Sequence, residues 1–257
     1  MNRESKYVNY GSFEIRFNVL GAYKSYNNGQ CQCRAQRRVL LQSLHQRKMI
    51  GWASKWMRDT QNSNQKRYKL DKNRVSDKME YFAVSELIKN RGMSAGLEIH
   101  RIERVQNITN QQRYNNCALG SDTQLLLFHG TRPLCVTGII EEGTDFRLHG
   151  DNGTKYGNGS YFGVYSSYAA QFANVAEIDT EIGKMVKYMF LFAVKAGQYC
   201  VGANGMRRPP KIANDRQGKA YDSVVDNVNN PSIFVTFDNA QSLPLYLISF
   251  TFDETTQ

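Results

Sequence analysis

The sequence predicts an α+β protein built on antiparallel sheets. After residue 80 the chain contains many short apolar runs at irregular spacing, with few helical stretches between them. A doubly wound fold would instead alternate strands and helices regularly. With 41% hydrophobic and 22% charged residues the chain has the composition of a globular protein, and 257 residues are enough to bury a core.

The elements follow in order from the hydrophobic pattern. Helical spacing predicts a helix over Glu80–Asn90, and the alternation over Gly96–Gln106 predicts the first strand of the main domain. Apolar runs predict further buried strands at Leu125–Phe128, Ser160–Phe162, Lys187–Val194, Ser223–Val225, Ile233–Phe237 and Leu245–Phe250.

The positive charge is concentrated in the first 79 residues. That segment contains 17 of the 33 Lys and Arg residues but only 5 of the 23 Asp and Glu residues, a net charge of +12, and the remainder is at −2. We therefore predict two domains, residues 1–79 and residues 80–257, with the polar stretch Asp59–Asp77 as a linker.

A basic amphipathic helix is predicted over Arg34–Met57, with a break at Gly51. Such a helix can contact RNA, an anionic membrane surface or a partner protein, and it can equally pack its apolar side on the following domain. The pattern leaves both interpretations open. Any anionic partner, nucleic acid included, is expected to bind at this segment, because the positive charge is confined to it.

The cysteines and the apolar runs bear on compartment and cofactors. Five scattered cysteines favour a reducing compartment, so cytoplasm or nucleus is expected. Cys31, Cys33 and His45 supply too few ligands for a structural zinc site, and we expect no metal. The longest apolar run, Tyr188–Val194, is too short to span a bilayer.

Polar and aromatic residues at strand ends form the candidate site. His129-Gly130-Thr131 follows an apolar strand, and Tyr156–Phe162 and Tyr221–Asp226 lie at two further strand ends. A histidine there can bond a ligand hydroxyl, a glycine lets backbone approach a flat amide, and Tyr161 offers a ring face. Each residue alone is also an ordinary core or turn residue.

Together and in this order, these motifs resemble the catalytic domain of the poly(ADP-ribose) polymerase superfamily, in its mono-ADP-ribosylating branch. The resemblance covers roughly Glu80 to Phe252 and continues through Met189–Leu191, Pro231–Val235 and Pro244–Ile248. It implies a fold of two packed, mainly antiparallel sheets with flanking helices. It also implies that NAD donates a single ADP-ribose unit to a protein or nucleic-acid acceptor, the enzyme itself included, with release of nicotinamide.

The resemblance assigns roles to individual residues. It implies that His129 bonds the 2′-hydroxyl of the nicotinamide ribose and that the Gly130 backbone holds the carboxamide. Tyr161 would lie under the nicotinamide ring, and Phe172 falls near the aromatic on its other face. The resemblance places residues Asp145–Gly150 in the family's donor loop and implies that Arg147 and His149 face the adenosine half of NAD. The implied NAD-binding set is completed by Thr131, Arg147, His149, Tyr156, Phe162 and Ala169.

Ile233 occupies the position where chain-elongating members of the family have glutamate. The resemblance therefore implies a His129, Tyr161, Ile233 triad and single-unit transfer, because isoleucine has neither a charge nor an acceptor atom. In an alternating strand with Val235 and Phe237, an isoleucine is also ordinary core.

Ala169 departs from the family pattern, in which a serine bonds the carboxamide oxygen. Loss of that bond weakens NAD binding, unless Ser167 or a water takes its place. Together with Ile233, this substitution leaves a second function open: a weak or inactive scaffold that retains the fold and binds NAD or RNA.

Overall fold

The computed structural model describes eight stretches of the chain: residues 7–10, 13–16, 66–92, 96–119, 124–148, 154–173, 176–213 and 215–252. The chain divides into two compact units, Met1–His45 and Gln46–Gln257. In the first, β1 (Tyr7–Tyr10) and β2 (Phe13–Arg16) pair antiparallel. The basic helix predicted over Arg34–Met57 lies outside the described residues.

The second unit combines helices with many strands. Its helices are α1 (Val75–Asn90), α2 (Ile108–Asn116), α3 (Pro133–Glu142) and α4 (Ser166–Ala170), with 3-10 turns at Phe146–Leu148 and Asn239–Gln241. Its strands are β3 (Arg67–Lys69), β4 (Leu97–Val105), β5 (Gln124–Thr131), β6 (Ser160–Gly163), β7 (Glu177–Asp179), β8 (Lys184–Lys195), β9 (Tyr199–Val201), β10 (Ser223–Val225), β11 (Ile233–Thr236) and β12 (Ser242–Phe252). Within the described ranges, no helix is long and apolar enough to cross a membrane.

Ten strands join into one sheet in the order β3-β4-β12-β8-β5-β6-β11-β10-β9, with β7 added on β8. All pairings are antiparallel except that of β9 with β10. The predicted antiparallel α+β class is confirmed. In place of the two packed sheets that the resemblance implies, the strands form one continuous sheet, because β5 and β6 pair through Phe128 and Gly163 and so connect the two halves.

The linker predicted over Asp59–Asp77 is wrong for its second half. Residues 67–69 form β3, which pairs with β4, and α1 already begins at Val75. The polar side chains here are partnered across the sheet, since Arg67 Nη2 lies 2.6 Å from Glu103 Oε2. The domain boundary at residues 79 and 80 stays a prediction.

The core lies on both faces of the sheet, around the buried strands β8 and β12. Successive residues of β8 alternate between two apolar clusters: Met189 and Leu191 pack on the side of α1, and Phe190 and Phe192 pack on the side of α3. Because both faces are covered, these strands are apolar throughout their central parts, which is why the sequence predicts them.

Helix α4 rests directly on β5. A β-carbon built on Gly130 would collide with the carbonyl oxygen of Ala169 in α4. The buried Ser166 fixes the helix in place, since its hydroxyl lies 2.7 Å from the carbonyl oxygen of Ile88 and 2.9 Å from that of Arg91. No side chain larger than hydrogen therefore fits at position 130.

We expect Gly130→Ala to destabilise the protein by about 2–3 kcal/mol, because the added methyl must displace the backbone of α4. Gly138→Ala is the matched control, since a β-carbon there has no atom within 4 Å and lies in a helix. It is expected to leave the free energy of unfolding unchanged or raise it by up to about 1 kcal/mol. Urea unfolding of both variants measures the difference, and equal stability would contradict the close contact.

Candidate functional site

His129 lies where β5 and β6 part. The two strands pair only at Phe128 and Gly163. Beyond that pair, the imidazole of His129, and not a backbone group, bonds β5 to β6. Its Nδ1 lies 2.8 Å from the carbonyl oxygen of Tyr161. Because a carbonyl only accepts, Nδ1 must donate the proton, and in the neutral ring Nε2 then bears the lone pair.

The surroundings of His129 favour its neutral form. Burial lowers the pKa of the imidazole, and this outweighs the opposing effect of the bond to the Tyr161 carbonyl. The rings of Phe162 and Phe192 lie 5.7 and 5.9 Å from it, measured between centroids. With an ordinary value near 6.5, a lowered pKa leaves Nε2 as an acceptor at neutral pH.

The ring of Tyr161 is held by its own hydroxyl. The backbone N–H of Tyr156 donates to that oxygen over 2.9 Å, and the hydroxyl donates to the carbonyl of Gly157 over 2.8 Å. Burial raises the pKa of Tyr161, so the phenol stays protonated. Both hydroxyl functions are used, which leaves the ring face as the part available to a ligand.

Ile233 points to the same side of the sheet as Tyr161. In the antiparallel pair of β11 and β6, Ile233 faces Gly163 and Val235 faces Tyr161, so their side chains share one face. Ile233 is 9% exposed and packs in an apolar cluster with Val224 and Val235, against which Tyr161 lies partly buried. The side chains of this cluster carry no charge.

Asp226 is a residue to which the sequence assigned no role. Its Oδ1 accepts from the backbone N–H of Ser232 (2.9 Å) and of Ile233 (3.0 Å), and its Oδ2 accepts from the Ser232 hydroxyl. Burial alone would raise the pKa of Asp226, but these bonds outweigh it and lower the pKa. The ionised carboxylate therefore holds the start of β11 and fixes Ile233.

The two candidates for carboxamide recognition on α4 face different ways. Ala169, which is 1% exposed, meets Gly130 with its backbone. The hydroxyl of Ser167 instead lies beside Gly92, where a β-carbon would come within 2.5 Å of it. In this arrangement Ser167 does not replace the missing serine.

Phe172 and Tyr168 continue this side of the site. Their ring centroids are 5.0 Å apart in an edge-to-face arrangement, and Tyr168 also packs against the Ile233 cluster. Tyr168 thus connects the predicted Phe172 with the cluster that includes Tyr161. Sequence analysis missed Tyr168; Phe172 lies in the turn after α4, so this contact depends on how the chain leaves the helix.

The donor-loop residues are not joined to this group. Arg147 forms a bidentate pair with Asp145, with Nη2 2.6 Å from Oδ2, and this bond lowers the pKa of Asp145 to about 2. In the described part of the chain no hydrogen bond or ion pair links Arg147 to His129 or Tyr161. His149 lies outside the described residues. Thr131 is buried, directly after Gly130.

The arrangement brings three recognition elements together: an imidazole acceptor for a hydroxyl, a strand backbone at Gly130 without a side chain, and the face of Tyr161. These elements suit a ligand that combines a flat amide-bearing ring with a ribose. Across the residues that the structure describes, no group of three His, Cys, Asp or Glu side chains is placed to share a metal ion.

Comparison with known proteins agrees with this geometry. A family model described as the poly(ADP-ribose) polymerase catalytic domain matches residues 78–252. Protein mono-ADP-ribosyltransferase PARP12 of Homo sapiens is 35% identical over 164 residues, which are 60% of this chain and 22% of the relative. Protein mono-ADP-ribosyltransferase PARP11 of Mus musculus is 32% identical over 173 residues, which are 59% of this chain and 52% of the relative.

Protein mono-ADP-ribosyltransferase PARP10 of Mus musculus is 31% identical over 160 residues, or 60% of this chain and 16% of the relative. The chain thus spans between about a sixth and a half of the length of these three relatives. The family match itself extends over more than half of the chain. The chain therefore belongs to the poly(ADP-ribose) polymerase catalytic domain family.

Proposed function

We propose that the protein is an NAD-dependent mono-ADP-ribosyltransferase that moves one ADP-ribose unit onto a protein acceptor and releases nicotinamide. The observation that carries the proposal is the 2.8 Å bond from His129 Nδ1 to the carbonyl of Tyr161. This bond fixes the His129 imidazole, which can accept a hydrogen bond from a ligand hydroxyl, next to the strand that carries the ring of Tyr161. The names of the three relatives, all mono-ADP-ribosyltransferases, support the same reaction.

NAD would bind in one orientation along these elements. The neutral Nε2 of His129 accepts from a hydroxyl of the nicotinamide ribose, and the Gly130 backbone pairs with the carboxamide. The nicotinamide ring stacks on Tyr161, with Phe172 on its other side. Arg147 and His149 belong to the loop proposed for the adenosine half, and Arg147 must leave Asp145 to take part.

The remaining predicted residues act as supports. Tyr156 donates its backbone N–H to the Tyr161 hydroxyl, and Phe162 packs its ring against His129 from the core. Thr131 continues β5 beyond Gly130 and is buried. These contacts restrict how far the two ligand-binding rings can move, which favours a preorganised NAD pose.

The reaction breaks the bond between the ribose C1′ and the nicotinamide nitrogen. The bonding electrons leave with nicotinamide, which becomes neutral, and C1′ acquires oxocarbenium character. An acceptor nucleophile then forms the new bond to C1′. A carboxylate acceptor brings its own negative charge close to the ribose and has no proton to lose, so no general base is required.

Ile233 is proposed as the third member of the triad, and it limits the reaction to one unit. A further unit requires a side chain that orients a ribose hydroxyl of the first ADP-ribose, and isoleucine has no acceptor atom. Because Ile233 also supplies no charge to the transition state, the acceptor carboxylate has to do so. His129, Tyr161 and Ile233 thus bind, orient and exclude water.

Ala169 supports the second candidate function, a weak or inactive scaffold that retains NAD binding. A missing hydrogen bond to the carboxamide costs about 1–3 kcal/mol, and about 1.4 kcal/mol corresponds to tenfold in affinity. The basic segment 1–79 would then provide RNA binding. Cytoplasm or nucleus stays the proposed location under either function.

We expect the purified protein, incubated with labelled NAD, to give discrete labelled bands on a denaturing gel. His129→Ala should remove the label, because the NAD ribose loses its partner, whereas Thr137→Ala on the exposed side of α3 should retain it. A high-molecular-weight smear would contradict the role given to Ile233. Absence of label together with an NAD thermal shift would favour the scaffold.

Restoring the family serine by Ala169→Ser should tighten NAD binding by up to about tenfold, since one bond to the carboxamide is regained. Isothermal titration of NAD into both proteins measures the change. Ala170→Ser, one residue further along α4 and only partly buried, is the control and should bind NAD as the parent does. Equal affinities for all three proteins would contradict the carboxamide assignment.

NAD affinity should fall on acidification. The pKa of His129 is lowered in the folded protein, so the ring is neutral at pH 7 and protonates only below about 6.5. Protonation removes the Nε2 acceptor and places a positive charge beside the positively charged nicotinamide. The Kd for NAD should therefore be constant above about pH 6.5 and rise as the pH falls through the lowered pKa.

Two variants make this pH dependence specific. His129→Gln does not titrate in this range, so its weaker NAD affinity should be independent of pH between about 5 and 7. His100→Gln changes another buried histidine, whose Nε2 lies 2.9 Å from Thr251 Oγ1, and should keep the parental pH profile. A flat profile for the parent would rule out the assigned tautomer.

A further inference from the structure

Residues 207–213 and 215–221, between β9 and β10, form the two sides of a hairpin. Lys211 and Ala220 make an antiparallel bridge, and the N–H of Ile212 donates to the carbonyl of Lys219 over 2.8 Å. The N–H of Tyr221 donates to the carbonyl of Pro210 over 3.0 Å. We call residues 207–221 the basic hairpin.

The single acidic residue of the basic hairpin, Asp215, forms hydrogen bonds to the backbone of the turn. Asp215 Oδ1 accepts from the backbone N–H groups of Gln217 and Lys219, each over 2.9 Å. The carboxylate is thereby bonded to backbone donors and not to a cationic side chain, and it offsets one of the hairpin's positive charges.

The hairpin presents five exposed cations on a short length of chain: Arg207, Arg208, Lys211, Arg216 and Lys219. In the ranges covered by the structure, none of these five side chains forms an ion pair with a carboxylate. Elsewhere in the same unit cations are paired, as Lys184 is with Glu98. The hairpin is therefore a net positive surface.

The base of the hairpin is joined to the candidate site. The N–H of Asn158 donates to the carbonyl of Met206 over 2.7 Å, and the hydroxyl of Thr154 bonds Asn204 Oδ1 over 2.9 Å. A β-carbon on Gly202 would collide with the carbonyl of Tyr156. The segment before the hairpin thus packs on the loop whose backbone holds the Tyr161 hydroxyl.

Met206 extends this connection to the apolar cluster of the site. It is partly buried against the cluster that contains Ile233 and Val235. The positive surface accordingly begins one residue after a side chain that packs against this cluster.

We propose that the basic hairpin docks a carboxylate-rich stretch of the acceptor protein and so selects acidic acceptors. The inference rests on the proposed transferase function and names its substrate class. Arg207 and Arg208 would hold acidic side chains of the acceptor. One acidic side chain of the same stretch would reach the nicotinamide ribose of NAD beside Ile233. The docked stretch thereby contributes free energy of binding and brings the negative charge that Ile233 does not supply.

An acidic peptide fits this surface better than a nucleic acid does. The one aromatic side chain of the basic hairpin is that of Tyr221 at its base, which is partly buried, and a single ring is a poor platform for successive bases. Arginine pairs bidentately with carboxylates and phosphates alike, and the protein acceptor of the proposed function favours carboxylates.

The test uses the full chain and a fluorescent Glu-rich peptide, with the same peptide carrying Gln in place of Glu as the neutral probe. The double variant Arg207→Glu, Arg208→Glu reverses two hairpin charges. Lys72→Glu, Lys78→Glu reverses two exposed charges next to and within α1 and is the charge-matched control. Peptide affinity is measured by anisotropy without NAD, and NAD affinity is measured separately by calorimetry.

We expect the hairpin variant to bind the Glu peptide at least about tenfold more weakly, with its NAD affinity unchanged. The control should match the parent, and the Gln peptide should bind weakly to all three proteins. Equal peptide affinity in parent and hairpin variant would overturn the proposal. It would also be overturned if the parent bound a single-stranded RNA through the hairpin more tightly than it binds the Glu peptide. If the hairpin variant also loses NAD affinity, the hairpin belongs to the site that binds NAD, the ADP-ribose donor, and not to acceptor binding.

The two proposals can fail separately. If the parent binds the Glu peptide through the hairpin but neither binds NAD nor transfers label, the transferase function fails while the acidic docking surface stands. If it transfers ADP-ribose equally well to the Glu and Gln peptides, the docking proposal fails while the transferase function stands.

Discussion

The bond between His129 and the carbonyl of Tyr161 determines both the sheet and the site. Strands β5 and β6 pair at a single position, and beyond it this carbonyl is bonded by an imidazole instead of a β5 backbone N–H. Leaving a buried carbonyl unpaired costs about 1–3 kcal/mol. This hydrogen bond therefore extends the junction that the Phe128–Gly163 pair makes, sets the imidazole tautomer and keeps Nε2 as an acceptor.

The other site residues are also held by backbone hydrogen bonds. The hydroxyl of Tyr161 is fixed by the loop at Tyr156 and Gly157, and the start of β11 is fixed by the carboxylate of Asp226. Polar groups close to Ile233 are thus committed to positioning. What the site presents inward is one neutral nitrogen, aromatic faces and strand backbone, which is an arrangement for orienting a ligand.

The hydrophobic pattern of the sequence predicts the buried strands but does not predict the elements that consist mainly of polar residues. β8 and β12 are apolar because both faces are covered, so composition alone reveals them. β3 and α2 were missed: Arg67 in β3 is stabilised by a charge pair with Glu103, and Asn107 caps α2 by accepting from Asn110 N–H over 3.1 Å. Such long-range or capping contacts leave little hydrophobic pattern.

The candidate site was predictable in its parts but not in its connections. Strand-end placement indicated His129 and Tyr161, and the family resemblance supplied their roles. The single-pair junction of β5 and β6 was not predictable, because one residue pair decides whether two sheets or one exist. Asp226 belongs to the predicted Tyr221–Asp226 motif, but its role was not predictable, since it bonds residues six and seven positions later and this contact depends on the turn between them.

On the proposed function, the distribution of charge connects chemistry to acceptor binding. The apolar cluster at Ile233 has no charge of its own, and the Asp226 carboxylate next to it is bonded to backbone N–H groups and the Ser232 hydroxyl. On the proposal, a carboxylate docked by the basic hairpin would bring negative charge to the ribose. The barrier to breaking the nicotinamide bond would then fall when an acidic acceptor is present.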